Sequence, residues 1–98
     1  MSVPAVYLPV AEDDIAGAHG YYEEQLAGLG DDFVEAVRQA IECIRENPQL
    51  YAVFRRNIRA APLKRFPYVV YYRERGSDLL IIAVQHGRRS ARAWRGRA

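Results

Sequence analysis

The six consecutive apolar residues Leu79–Val84 (LLIIAV) constrain this chain more than any other stretch. Strand side chains alternate between the two faces of a sheet, so an unbroken apolar run of strand length is expected to be buried on both faces and to hold a central position. It falls far short of the roughly 20 apolar residues that a membrane-spanning helix requires. Just before it, Arg75-Gly-Ser-Asp78 has the form of a tight hairpin, with Gly76 free to take the positive φ that a primed turn needs. Tyr68–Arg73 is then the partner strand, and Ile58–Leu63 is a weaker strand candidate ahead of it.

The first half has a different period. Ile15, Ala18, Tyr22 and Leu26 recur at helical intervals between Ala11 and Leu26, and Glu12, Asp13 and Asp14 stand at the start, where acids suit the positive end of a helix. The AGLG segment at 27–30 breaks this helix. Asp31 and Asp32 open a second one, on which Phe33, Val37, Ala40, Ile41 and Ile44 form one apolar stripe. Asn47-Pro48 ends it, because the residue before a proline is pushed out of the helical region. Ahead of both helices, Val3–Pro9 carries two prolines among β-prone residues and suits a short edge or terminal strand. The order β-α-α-β-β-β predicts an α+β fold, a small and mostly antiparallel sheet packed against an N-terminal helical hairpin. Ninety-eight residues allow one modest core, so 1–98 is expected to be a single domain.

The net charge of +2 hides a division. Residues 1–50 hold ten acids against Arg38 and Arg45, a balance of −8. Residues 51–98 hold eleven arginines and Lys64 against Glu74 and Asp78, a balance of +10. If the halves also separate in space, the second presents a positive face to an acidic partner or to phosphates. A GC-rich genome would explain arginine in place of lysine but not its clustering, and arginine's planar fork suits carboxylates and phosphates. Cys43 is the only cysteine and sits in a helical pattern, which points to a packing role and to a reducing cytoplasm. The opening residues lack the basic and apolar regions of a secretory signal, and no membrane association is expected.

Candidate chemistry gathers in Ala83–Trp94, AVQHGRRSARAW, where His86 and three arginines follow the apolar run. His86 is the one conventional acid–base group in the last third of the chain, although a histidine ending a strand also serves to fix a turn. His19, on the first helix, is expected to be structural. Arg65 could clamp a phosphate or a carboxylate, or pair with an acid of the first half. Tyr21 and Tyr22 are expected to pack the helix on the sheet, and Tyr68, Tyr71 and Tyr72 to pack as strand tyrosines, with base stacking as the alternative. Trp94 is either an anchor that folds the tail back or a binding hot spot. Arg92, Arg95 and Arg97 suit a solvated basic tail. No metal-ligand spacing, phosphate-cradling glycine loop or Ser-His-Asp arrangement occurs, so neither metal nor cofactor is expected.

Taken together, Tyr21-Tyr-Glu-Glu, Leu29-Gly-Asp-Asp-Phe33, Asn47-Pro48, Arg65-Phe-Pro-Tyr-Val-Val-Tyr-Tyr72 and His86-Gly-Arg-Arg with Trp94 resemble the RelE/ParE superfamily. These are toxins of type II toxin–antitoxin systems, often labelled plasmid stabilisation proteins. The resemblance covers nearly the whole chain and implies the fold already expected from periodicity. It implies tight hetero-oligomeric binding by a cognate antitoxin, whose flexible and often acidic segment wraps the toxin.

The superfamily includes mRNA endoribonucleases acting at the ribosome (RelE-like) and poisons of DNA gyrase (ParE-like). Cleavage through the 2′-hydroxyl needs an acid, a base and positive charge. Here that machinery would be His86 with Arg65, Arg88 and Arg89, and Lys64 as further phosphate charge. RelE-like toxins place a tyrosine or a histidine near the C-terminus to serve as base or acid; no tyrosine follows Tyr72, and Trp94 stands in the comparable place. An indole N–H only donates. The resemblance therefore favours the ParE-like branch, with Arg59, Lys64, Arg65, Arg88, Arg89, Arg92, Trp94 and Arg95 as candidates for contacting target or antitoxin. A chain that retains only antitoxin binding is a third reading.

Overall fold

A computed structural model describes residues 3–89 together with Trp94, Gly96 and Arg97. The elements are β1 (Ala5–Tyr7), α1 (Pro9–Gln25), α2 (Leu29–Glu46), β2 (Val53–Arg55), β3 (Ile58–Pro62), β4 (Tyr68–Arg75) and β5 (Asp78–His86). The sheet has five strands in the order β1-β5-β4-β3-β2, parallel only between β1 and β5. This is the expected α+β architecture with one strand more than the sequence announces. β2 is three exposed residues without alternation. Its turn into β3 places Arg56 at φ 51, a conformation usually taken by glycine or asparagine, so neither strand nor hairpin has a sequence signal there.

β5 holds the interior position expected of it, between β1 and β4, and Leu79–Gln85 are all buried. Leu79, Ile81 and Val84 join the core beneath the helices, while Leu80, Ile82 and Ala83 face the other side. Strict alternation would separate Ile82 from Ala83. A bulge resolves this, since the register steps from Tyr71↔Ala83 to Tyr72↔Ile81 and leaves Ile82 as the extra residue. Gly76, at φ 60, forms the predicted turn between the paired residues Arg75 and Asp78.

α2 buries Phe33, Val37, Ile41 and Ile44, four of the five stripe residues, and Ala40 packs at the margin. On α1 only Ala11 and Ala18 are fully buried, with Ile15 and Tyr22 partly so. Leu26 lies beyond the helix end and is 64% exposed, so it leaves the expected stripe. Cys43 is exposed, not packed, because it projects away from the Ile41–Ile44 face.

The 28–30 turn uses its two glycines for different reasons. Gly28 caps α2 at φ 90, a left-handed conformation. At Gly30 an added Cβ would lie 2.5 Å from the His19 carbonyl oxygen, so glycine lets the helices cross closely. With no side chain at the cap position itself, Glu23 of α1 reaches over. Its carboxylate accepts the N–H groups of Gly28 at 3.0 Å and Gly30 at 2.8 Å, supplying the acceptors that the start of α2 lacks. These bonds, the Gly28 N–H foremost, hold the Glu23 carboxyl below its ordinary value.

Candidate functional site

The RFPY segment is first an element of packing. Phe66 is buried and lies 4.9 Å from the Tyr22 ring and 5.3 Å from Phe33. Tyr68 adds a third contact, 5.0 Å from Phe33. This aromatic cluster fixes the 63–67 loop, and the Pro67 carbonyl then accepts the Gly87 N–H at 2.8 Å. Two loops distant in sequence are thereby tied together at one end of the sheet.

The first loop carries the exposed Lys64 and Arg65 and the second the exposed Arg88 and Arg89. Arg65 lies 5.5 Å from the Phe66 ring centroid and 3.7 Å from Asp32, a loose and exposed ion pair of little energetic weight. Among the described residues no acid forms an ion pair with Lys64, Arg88 or Arg89. The first-half arginines, by contrast, are engaged by Glu35 and Glu42 within α2. The charge division of the sequence thus survives folding as exposed basic loops in which Lys64, Arg88 and Arg89 have no ion-pair partner among the described residues.

Arg59 lies elsewhere. Its Nη1 donates to the Tyr51 carbonyl at 2.6 Å and reaches the Gln49 carbonyl at 3.4 Å, bracing the turn before β2. Trp94 is 1% exposed and stacks on Tyr71 with 4.3 Å between ring centroids, the geometry of a packed anchor. Phe54 covers it at 5.8 Å. Tyr71 and Tyr72 are core residues, as packing requires. Arg97 is no solvated tail residue: its guanidinium forms a bidentate pair with Asp14, Nη1 to Oδ2 at 2.6 Å and Nη2 to Oδ1 at 3.2 Å. Asp14 correspondingly serves the fold and not only the start of α1. Arg92 and Arg95 lie outside the described residues.

His86 borders a groove of about 360 Å³ between α1 and β5, which Tyr21, Tyr68 and Arg89 also line. The sequence gives no tyrosine after Tyr72, yet Tyr68 is the cross-strand partner of His86, with ring centroids 5.6 Å apart. Sequence order hides this, because the tyrosines come from β4 and α1. The grouping is nevertheless poorly set for proton abstraction. His86 Nδ1 accepts the Arg88 N–H at 3.1 Å, so the neutral ring carries its proton on Nε2 and has no free lone pair to act as base. Burial, then Tyr21 nearby, raises the Tyr68 hydroxyl above its ordinary value and keeps it neutral, although Arg89 pulls the other way.

A second groove, about 210 Å³, runs between α2 and the 62–65 segment, floored by Ala36, Ala40 and Leu63 and rimmed by Lys64 and Arg65. His19, Glu23 and Asp31 bring three possible ligand atoms within 4.8 Å of one another. Glu23 already accepts backbone N–H groups on both oxygens, and His19 Nε2 bonds Asp31 at 3.0 Å, so the cluster is committed to the helix junction.

The family described as ParE toxin of type II toxin-antitoxin system, parDE, matches residues 5–91. The chain belongs to the ParE toxin family. The match takes in both helices, all five strands and the basic residues of the 63–67 and 86–89 loops. A solved structure titled "Chromosomal ParDE TA system from P. aeruginosa" is similar to this ParE-family chain with a TM-score of 0.66 at 15% identity, covering 87% of this chain and 96% of that one. At that identity the likeness is one of fold. No curated protein matches the sequence. Among the described residues no helix is long and apolar enough to cross a membrane.

Proposed function

We propose that this ParE-family chain is a single-domain cytoplasmic toxin that arrests growth by binding DNA gyrase and is neutralised by a cognate antitoxin. Membership of the ParE family over residues 5–91 carries the reading. The site chemistry supports it: the basic loops are exposed and, Arg65 apart, without ion-pair partners among the described residues, while the one histidine beside them spends Nδ1 on a backbone N–H. Recognition needs the first feature and tolerates the second. The antitoxin is the natural occupant of the α2 groove, whose apolar floor and Lys64–Arg65 rim suit an amphipathic segment bearing carboxylates. A supercoiling assay with purified gyrase tests the proposal. Inhibition by the chain, relieved by the antitoxin, is expected; full supercoiling at excess toxin overturns it.

One observation favours a second reading, a RelE-like ribonuclease acting on mRNA at the ribosome. His86, Tyr68, Tyr21 and Arg89 share one groove, and His86 released from the Arg88 N–H would regain a basic nitrogen. Cleaved mRNA in cells arrested by this chain, absent with His86→Ala, would establish that reading in place of the first.

A further inference from the structure

β1 accompanies β5 only as far as Tyr7↔Ile81, and the chain then leaves the sheet for α1 at Pro9. β5 continues to His86, paired with β4 on one side, and among the described residues no strand lies beside its last part on the β1 side. An edge of this kind offers backbone donors and acceptors to any extended chain. Two side chains occupy it here. Asp14 Oδ2 accepts the Val84 N–H at 3.0 Å, and Arg97 Nη1 donates to the Ile82 carbonyl at 3.2 Å.

The two guards also hold each other through the bidentate pair, across 83 residues of sequence. With side chains 11% and 19% exposed, it is more buried than any other ion pair among the described residues. Trp94 lies on the sheet face opposite the helices, and the Arg97 N–H donates back to its carbonyl at 3.0 Å. Trp94 and Arg97 therefore stand on either side of the β5 edge, one on the Tyr71 face and the other beside α1. The 360 Å³ groove beside Val84, Gln85 and His86 has Gly17 and Ala18 on its helical side, so small residues leave space along the edge.

We propose that Asp14 and Arg97 form an edge guard that keeps Ile82–His86 from pairing with the same edge of a second copy of this chain. A second copy fits because antiparallel pairing of two identical edges closes on a two-fold axis and satisfies both sides alike. The guard acts in two ways. Together the side chains fill the backbone positions. Without Arg97, the Asp14 carboxylate still caps Val84 and faces its own copy across the axis. Removing Arg97 alone therefore leaves a monomer, and removing both charges opens the edge.

The test is the mass of the purified chain by light scattering over a concentration series, with amide exchange read at Val84. The unsubstituted chain and Arg97→Ala remain monomeric, whereas Asp14→Ala/Arg97→Ala forms a dimer whose Val84 amide regains protection as it assembles. A double variant that stays monomeric at every concentration, a dimer in which the Val84 amide exchanges freely, or a dimer of the unsubstituted chain overturns the proposal. Should the alanine pair lose its near-ultraviolet dichroism, Asp14→Leu/Arg97→Met keeps similar side-chain volume without the charges or the bonds to Val84 and Ile82, and is judged by the same criteria.

Discussion

Tyr68 and His86 face each other across the β4–β5 ladder, their rings 5.6 Å apart, while His86 Nδ1 accepts the Arg88 N–H. The histidine shapes the turn that presents Arg88 and Arg89. Asparagine can accept the same N–H through its side-chain oxygen, as in an Asx turn. Growth arrest is therefore expected to persist in His86→Asn, measured on induction of the chain alone. Loss of arrest in His86→Asn with antitoxin binding intact would point to proton transfer at this residue.

Lys64, Arg65, Arg88 and Arg89 are exposed, so reversing their charge touches recognition more than folding. Lys64→Glu/Arg65→Glu is expected to weaken antitoxin binding tenfold or more, about 1.4 kcal/mol or greater. Arg88→Glu/Arg89→Glu is expected to weaken target binding. Each substitution should move stability by only about 0.5 kcal/mol or less. Isothermal titration and thermal melts separate the two effects.

Tyr72 has no exposed surface, and its hydroxyl donates to the Pro48 carbonyl at 2.6 Å, pinning the end of α2 to β4. Burial pushes its hydroxyl up to about 12, against the opposing charge of Arg59. The unfolded chain ionises near 10.0 and the folded chain near 12, so this contribution is intact below the first value and is lost as pH rises towards the second. Tyr72→Phe is expected to flatten that alkaline decline and to cost about 1 kcal/mol at neutral pH through the lost hydrogen bond. Denaturant titrations at several pH values measure both.

At the helix junction the sign is opposite. The Glu23 carboxyl is held below its ordinary 4.5, so its capping contribution is present above that value and fades as pH falls through the lower folded one. Acid unfolding of Glu23→Gln should begin from a lower stability and show a shallower slope. Gly30→Ala must move the His19 carbonyl and is expected to cost about 1–3 kcal/mol, seen as a lower Tm.

Trp94→Ala empties a buried site on the sheet face opposite the helices and is expected to destabilise the chain by about 3–5 kcal/mol. Retained stability in this variant would show that the tail contributes little to closing that face.

Local pattern determined much of this protein. The stripe on α2, the stop at Asn47-Pro48, the Gly76 hairpin and the two-sided burial of Leu79–Val84 each follow from residues within a turn or two of one another, where periodicity and steric limits act directly. The resemblance carried by RFPY and HGRR brought the family as well. Tertiary structure decided what depends on contacts between distant residues. Arg97 became an ion-pair partner and not a solvated tail because Asp14, 83 residues away, waits beside an unpaired strand edge. Tyr68 reached His86 through strand register, which no spacing between them encodes. Glu23 replaced the missing cap of α2 because Gly30 lets the helices cross closely enough for its carboxylate to arrive. Charge and hydrogen bonding act over a few ångströms of space, and only the fold brings those residues within that range.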